Sequence, residues 1–410
     1  AKADVMIVEV GGTIGEYQNV LFLEAARMMQ IKSPQDVAFV LVSYLPVPGT
    51  VGEMKTKPTQ YAIRTMNASG LNPDFIICRS TQPLDEPRKE KISMVASIDP
   101  KRVISAPNVE SIYEIPLMFD KEELDLEIMR RFELPPQKST LTKWKDFVKK
   151  VKTTEKPLRI GIVGKYFKTG EFTLADSYIS VIEAVKHAVW TQGRKPVITW
   201  LNAEEYEKNP KALKELSSFE GIIVPGGYGS RGIEGKIKAI QFVREHKIPF
   251  LGLCYGMQMA TVEFARHVAG LKNAHTTEIN PKTSYPVVHT MSDQVAKLEK
   301  KQYGGTMRLG GYDCELSSDT IARAAYGKKL IKERHRHRYE FNNSYREVLE
   351  KKGMVFSGMN PDNNLVEIIE LKKSAHPFFV GVQFHPEFKS RPLTPHPLFM
   401  EFVKAARKGK

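Results

Sequence analysis

The chain contains 410 residues, of which 41% are hydrophobic and 26% are charged, and its formal net charge is +14. This length favours two domains, and the composition is typical of a globular enzyme and excludes a disordered chain. No run of about 18 apolar residues is present, so we expect no membrane-spanning helix and no membrane partner. Three cysteines are too few for a disulfide framework, and no secretory signal opens the chain, so we expect a cytoplasmic protein.

The positive charge is unevenly distributed along the chain. Residues 1–157 carry a net charge of +1, and the remaining residues carry +13. No zinc finger, aromatic RNA-binding signature or arginine-rich run accompanies this charge, so we expect no nucleic-acid partner. Anionic nucleotides are the favoured ligands, and a solvated basic surface is the alternative.

Apolar runs alternate with amphipathic stretches, which is typical of a parallel sheet covered by helices. In the first part of the chain this pattern predicts strands at residues 5–10, 37–42, 75–78 and 102–105, and helices at 89–96 and 121–131. Two prolines at 135 and 136 then interrupt the chain. We interpret the lysine-rich residues 137–157 as a linker, with a helix around Trp144. The predicted domains are therefore residues 1–136 and 158–410.

A second α/β series follows the predicted linker. It predicts strands at residues 159–163, 196–201, 221–224, 250–253, 287–288 and 378–383. Helices are predicted at residues 176–190, 233–245 and 255–268. The whole chain is thus expected to have an α/β fold.

The sequence Gly-Leu-Cys-Tyr-Gly at 252–256 follows an apolar strand and precedes a predicted helix. Flanking glycines permit a tight turn that presents the Cys254 side chain above the sheet. A cysteine at a helix N-terminus is favoured as a thiolate, so Cys254 is a candidate nucleophile. A buried structural cysteine is the alternative for this motif alone.

Two further motifs supply partners for Cys254. His385 follows the last predicted strand, and Glu387 is two residues further on, where it can orient the imidazole. The turn Pro-Gly-Gly-Tyr-Gly at 225–229 follows another strand and offers backbone N–H groups to an oxyanion. We expect the N–H groups of Gly227 and Tyr255 to form that oxyanion hole.

These three motifs, in this order, resemble the class I glutamine amidotransferase domain. The resemblance implies that Cys254 attacks the side-chain amide of glutamine, that His385 transfers protons and that Glu387 orients it. It also implies that Gln258 and Glu278 hold the amino-acid moiety of glutamine and that Arg338 binds its carboxylate.

Other segments indicate which amidotransferase this is. They are Gly-Gly-Thr-Ile-Gly at 11–15, Lys-Thr-Lys-Pro-Thr-Gln at 55–60, Gly-Gly-Thr-Met-Arg-Leu-Gly at 304–310 and Glu-Arg-His-Arg-His-Arg-Tyr-Glu at 333–340. Together they resemble the CTP synthase family over essentially the whole chain. That family makes CTP from UTP, ATP and glutamine with Mg²⁺, and GTP activates it.

The resemblance implies a Rossmann-like partial synthetase (amidoligase) domain plus a class I glutamine amidotransferase domain. Lysines act as point charges for phosphate, and a strand-end carboxylate suits Mg²⁺. The implied residues are Lys55, Lys57, Gln60, Lys91 and Gln18 for UTP or CTP, Arg79 near the reacting groups on the ATP side, Glu9 for the metal, and Tyr228, Arg231, Thr306 and Arg308 for GTP or a lid. A solvated lysine-rich loop is the alternative at 55–60.

The chain also departs from the family pattern. No phosphate loop of the form Gly-x-x-x-x-Gly-Lys-Ser/Thr occurs. The family carries that loop before residue 1, so we expect a fragment, a separate N-terminal synthetase segment or subunit, or loss of CTP synthesis. Gln18 stands where an acid is usual and is expected to alter product feedback, and Ile179 stands where a lysine is common and is expected to weaken GTP coupling.

The motifs leave three functions open. The first is a CTP synthase that forms a homotetramer. The second is a glutaminase or ammonia-donating subunit that needs a separate synthetase part. The third is a non-catalytic assembly or regulatory protein, which has no need of a complete triad. Whatever the function, missing sheet partners predict exposed edges and poor solubility.

Overall fold

The computed structural model describes residues 3–49, 52–164, 178–227, 229–290 and 307–408, together with the backbone of two short strands, Lys168–Thr169 and Phe172–Thr173. Contacts divide the chain into two units, Ala1–Val148 and Lys149–Lys410. The α/β class predicted from the sequence is confirmed in both. Within the described residues, no helix is both long and apolar enough to cross a membrane.

Unit 1 is built around a parallel sheet of three strands. In chain order its elements are α1 (Val20–Lys32), β1 (Val40–Tyr44), α2 (Lys57–Ala68), β2 (Phe75–Ser80), α3 (Glu86–Ala96), β3 (Val103–Pro107), α4 (Ile115–Lys121) and α5 (Leu124–Arg131). The next helix, α6 (Thr142–Thr153), includes the last residues of unit 1 and the first residues of unit 2. The strand order is β1-β2-β3, with Leu41 beside Ile76 and Ile76 beside Val103. These three side chains are buried and form the centre of the unit.

One prediction for unit 1 is wrong, and another differs in its bounds. The predicted strand at residues 5–10 has no regular structure, and the Ile7 side chain is 93% exposed. A strand needs a neighbouring strand to bond its backbone, and the described sheet of this unit ends at β1. The predicted helix at residues 121–131 is present as α5 and begins three residues later than predicted, because Glu123 has φ 55° and interrupts the helical path after α4.

Unit 2 contains a mixed sheet of nine strands. Its elements are β4 (Pro157–Gly164), β5 (Lys168–Thr169), β6 (Phe172–Thr173), α7 (Ile179–Thr191), β7 (Lys195–Asn202), α8 (Ala203–Lys208), β8 (Gly221–Val224), α9 (Ile233–Glu245), β9 (Phe250–Leu253), α10 (Tyr255–His267), β10 (Ala274–Thr276), β11 (Tyr285–Thr290), β12 (Arg308–Leu316), α11 (Ile321–Tyr326), β13 (Leu330–His337), β14 (Tyr339–Phe341), α12 (Arg346–Glu350), β15 (Met354–Met359), β16 (Val366–Leu371), β17 (Phe379–Val382) and α13 (Pro397–Lys408).

The order of the large sheet is β13-β12-β15-β16-β17-β9-β8-β4-β7. The strands from β17 to β7 are parallel, and those from β13 to β17 pair antiparallel. Helices α8, α9 and α10 pack on one face, and α7 and α13 pack on the other. The inner parallel strands β8, β9 and β17 are therefore buried on both faces, and the carboxyl ends of the parallel strands meet at one edge, where a site can form.

The strands predicted for unit 2 are present, with ends that differ by at most two residues. The helix predicted at residues 176–190 is described from Ile179 onward, and residues 174–177 lie outside the described part.

Candidate active site

Cys254 occupies a strained turn between β9 and α10. Its backbone has φ 49° and ψ −99°, a conformation that L-residues rarely adopt. A Cβ on Gly256 would overlap the carbonyl oxygen of Val224, so only glycine lets α10 approach β8 this closely. The sequence therefore forms the elbow locally, and the packing of α10 on the sheet holds it in place.

His385 reaches this elbow because β17 and β9 are parallel neighbours. Val382 pairs with Leu253, and the backbone N–H of Cys254 donates to the carbonyl of Val382 at 2.6 Å. His385 follows β17, and its Nδ1 lies 2.8 Å from Oε1 of Glu387, which is in a short turn of 3-10 helix, Pro386–Lys389. The chain thus brings the predicted nucleophile, base and orienting acid together.

The protonation of His385 depends on its neighbours. Burial lowers the pKa of the imidazole, but the Cys254 sulfur and the Glu387 carboxylate raise it, and the result is a pKa of about 10. His385 is therefore an imidazolium at neutral pH beside the sulfur. An imidazolium–thiolate pair is the reactive form of a cysteine nucleophile, because the thiolate is the attacking species.

The glycine-rich turn after β8 lies beside the pair. A Cβ on Gly226 would come within 2.9 Å of Cε1 of His385 and within 3.7 Å of Cβ of Cys254. A side chain at position 226 would therefore push against the base. The oxyanion role of Gly227 and Tyr255 stays a prediction, although both residues line the same cavity as Cys254.

That cavity has a volume of about 290 Å³. It brings together six residues predicted from the sequence, which are Gly227, Cys254, Tyr255, Gln258, Glu278 and Arg338. Gln258 donates to the carbonyl of Tyr339 at 2.9 Å, and Glu278 accepts from the backbone N–H of Gly229 at 3.3 Å. A carboxylate and a guanidinium at one cavity match the ammonium and carboxylate groups of an amino acid.

Several residues at this cavity lie in the motifs at 304–310 and 333–340 but were given no individual role from the sequence. Its wall also contains Met307, Arg336, His337 and Tyr339. Gln383, at the end of β17, donates to Sγ of Cys254 at 3.7 Å and lies 3.3 Å from Gln258. The position of Gln383 two residues before His385 is the one signal that could have found it.

A layer of buried charge lies beside the cavity wall. Arg308 is 5% exposed, and its guanidinium pairs with Glu367 at 2.7 Å. Nδ1 of His335 lies 2.8 Å from Nε2 of His337, and His337 lies 3.3 Å from Glu340. Burial raises the pKa of Glu367 to about 7, against the opposing effect of Arg308. Because Arg308 is committed to this internal pair, its contact with a nucleotide stays a prediction.

The other residues predicted for GTP or a lid are Tyr228, Arg231 and Thr306. Arg231 is exposed and lies 3.8 Å from Glu204. Tyr228 and Thr306 lie outside the described residues.

The residues predicted for the nucleotide belong to unit 1. Lys55 pairs with Glu53 at 2.6 Å, Gln60 donates to Thr56 at 3.0 Å, and Arg79 donates to Asn108 at 3.3 Å. Lys57 begins α2, and its side chain is exposed, like those of Lys91 on α3 and Gln18 near α1. Their contacts with UTP or CTP stay predictions.

The predicted metal ligand does not form a metal centre with its neighbours. Glu9 is exposed in the irregular segment before α1. Among the residues that the structure describes, no group of three histidine, cysteine or acidic side chains is placed to hold a metal ion. The described residues therefore form no metal centre by themselves, and the role of Glu9 as a ligand of Mg²⁺ stays a prediction.

Comparison with known proteins matches each unit to the model of a protein family. A model described as "CTP synthase N-terminus" matches residues 1–134, and one described as "Glutamine amidotransferase class-I" matches residues 173–405. The glutaminase domain of Trypanosoma brucei CTPS with bound acivicin is 35% identical with a TM-score of 0.56, and the match covers 62% of this chain and 95% of that one.

Curated relatives match the chain almost from end to end. The CTP synthase of Caldanaerobacter subterraneus subsp. tengcongensis is 49% identical over 98% of this chain and 73% of its own length. The CTP synthase of Thermococcus gammatolerans is 48% identical over 99% of this chain and 74% of its own length. The resemblance predicted from the motifs is confirmed by these matches. The chain therefore belongs to the CTP synthase family.

Proposed function

We propose that this protein makes CTP from UTP and ATP, with ammonia released from glutamine in unit 2. Two observations support the proposal. The relatives named CTP synthase are similar over nearly the whole chain, and Cys254, which lines the cavity, lies beside the pair formed by His385 and Glu387. The single observation that carries the glutaminase half is the 2.8 Å contact between His385 and Glu387 beside the strained Cys254.

In the glutaminase step, the Cys254 thiolate attacks the side-chain amide carbon of glutamine. The C–S bond forms and the carbonyl π electrons move to oxygen, which the N–H groups of Gly227 and Tyr255 bind. His385 then donates its proton to the leaving nitrogen, the C–N bond breaks and ammonia departs. Water attacks the thioester with His385 as base, the C–S bond breaks, and glutamate leaves.

Glutamine is oriented by charge in this proposal. The carboxylate of Glu278 faces the α-ammonium group, and the guanidinium of Arg338 faces the α-carboxylate, with Gln258 beside them. The cavity supports these roles, because the three side chains and Cys254 all line its wall. Bidentate pairing with a carboxylate is the geometry that guanidinium favours.

In the synthetase step, the γ-phosphoryl group of ATP passes to the 4-oxygen of UTP, and ADP leaves. Ammonia then attacks C4, and phosphate departs in place of a poor leaving group. The side chains assigned to the UTP phosphates and the reacting groups are Lys55, Lys57, Gln60, Lys91 and Arg79, with Gln18 at the pyrimidine. The same proposal includes activation by GTP through Tyr228, Arg231, Thr306 and Arg308. It also includes use of Mg²⁺ through Glu9, assembly as a homotetramer and a cytoplasmic location.

The two family models match residues 1–134 and 173–405 of this chain. The chain spans about three quarters of the length of the first two curated relatives.

The test measures two activities of the same preparation. Glutamine hydrolysis is followed as glutamate release, and CTP formation is followed from UTP and Mg-ATP with ammonia supplied directly. We expect both, and we expect Cys254→Ala to abolish hydrolysis while leaving ammonia-dependent CTP formation intact.

Each alternative has its own outcome in this test. Hydrolysis without CTP would favour the glutaminase or ammonia-donating subunit. Absence of both activities would favour an assembly or regulatory protein. Hydrolysis that survives Cys254→Ala would overturn the assignment of the nucleophile.

A further inference from the structure

Lys236 is a charged side chain in the interior of unit 2. It lies on α9, and its relative exposure is 0%. Lysine is almost never fully buried, because removing an ammonium group from water is unfavourable unless its surroundings compensate. A fully buried lysine therefore calls for a reason in the surrounding structure.

The ammonium of Lys236 faces the two residues assigned to the oxyanion hole. Nζ lies 5.1 Å from the centroid of the Tyr255 ring. A Cβ built on Gly227 would lie 3.7 Å from the same Nζ. The positive charge is thus next to the glycine-rich turn on one side and to the first residue of α10 on the other.

The helix that carries Lys236 is closely packed at this point. A Cβ on Gly235 would overlap the carbonyl oxygen of Ala203, so α9 is in direct contact with α8 at this point. The neighbouring Ile233 and Ile237 are buried in the core. The hydroxyl of Tyr255 also lies 3.3 Å from the carbonyl of Gly229, to which it donates, and this links α10 to the glycine-rich turn.

We propose that Lys236 is an electrostatic and positioning residue of the oxyanion hole, holding Gly227 and Tyr255 in place and stabilising the negative oxygen of the tetrahedral intermediate. The inference rests on the proposed glutaminase function and adds a residue to it. The charge appears when Cys254 adds to the carbonyl carbon and the π electrons move to oxygen. A cation in a site with little water stabilises that charge more strongly than one in solvent.

The test replaces Lys236 with Met, which fills the same volume without the charge. We expect kcat for glutamine hydrolysis to fall about 10- to 100-fold, since removal of one oxyanion-hole group costs 100- to 1000-fold in other enzymes. KM for glutamine is expected to stay within about twofold of the wild-type value, because the substitution destabilises the tetrahedral intermediate and leaves the binding of glutamine unchanged. A merely structural role would change KM and thermal stability together with kcat.

Lys238→Met is the matched control on the same helix. Lys238 is part-buried, and its Nζ lies 3.3 Å from the carbonyl of Glu207, to which it donates. We expect kcat of this variant to stay close to that of the wild type. If Lys236→Met is unfolded by its melting curve, Lys236→Gln gives the same comparison with a neutral polar side chain.

Equal kcat values for the Lys236 and Lys238 variants would overturn the inference while leaving the proposed function standing. A parallel rise in KM would also overturn it, because it would indicate a distorted pocket. A folded wild type without glutaminase activity would overturn both proposals. Failure of the Lys236 inference is therefore distinguished from failure of the proposed function.

Discussion

At the scale of single residues, His385 has the most informative protonation equilibrium. Burial lowers its pKa, and the Cys254 sulfur and Glu387 raise it to about 10. Since the ordinary value is 6.5, the imidazolium contributes stability that is fully present below pH 6.5 and is lost as pH rises through about 10. The catalytic pair and the stability of unit 2 are therefore coupled through one proton.

Cys254→Ala is expected to lower the pKa of His385, because it removes the nearby charge and hydrogen-bond partner while the burial remains. The measurement is a titration of the His385 ring protons by NMR, with His385→Asn to assign the signal. In the wild type the imidazolium should persist to about pH 10. Identical titration curves for the wild type and the alanine variant would contradict this account.

At the scale of elements, the contact of α10 with β8 decides where Cys254 and Tyr255 lie. Gly256→Ala would place a methyl group against the carbonyl of Val224 and push α10 away from the sheet. We expect the free energy of unfolding to fall by about 1–3 kcal/mol. We expect glutaminase activity to fall by a larger fraction than the free energy of unfolding does. Urea unfolding and glutamate release measure the two effects.

Gly49→Ala is the control for that substitution. Nothing lies within 4 Å of a Cβ at position 49, and the residue does not have a positive φ. Its stability and activity should match those of the wild type. An unaltered Gly256→Ala variant would mean that α10 tolerates displacement without disturbing the nucleophile.

Strand β13 shows how far an element can be predicted from its sequence. The alternation of charged residues at 333–338 is compatible with a solvated basic strand. In the structure Glu333, His335 and His337 are buried, and the arginines between them lie on the opposite face of the strand. The alternation indicates two faces, but the partner of each face comes from elements distant in sequence, such as Glu367 beside Arg308.

At the scale of the whole molecule, unit 1 exposes apolar side chains. Strand β1 is at an edge of its sheet, and Val40, Val42 and Tyr44 are exposed along it. Ile7 and Phe22 are also exposed in the same unit. An open strand with apolar side chains favours pairing with another chain.

We therefore expect the purified protein to associate as its concentration rises. Static light scattering over a wide range of concentration measures this. Val42→Lys, at a side chain that is 62% exposed, should reduce association because a charge on an edge strand disfavours pairing. A stable monomer at every concentration would contradict the expectation.

The sequence by itself determined the family, the α/β class and the candidate residues Cys254, His385 and Glu387, because glycines, strand ends and motif order are local features of the chain. The tertiary structure alone decided which side chains surround them. Gln383 meets Cys254 across 129 residues of sequence, Lys236 is buried against Tyr255, and no strand of the described residues pairs with residues 5–10. Such contacts depend on which elements pack together, and that packing is set by the whole core rather than by any local pattern.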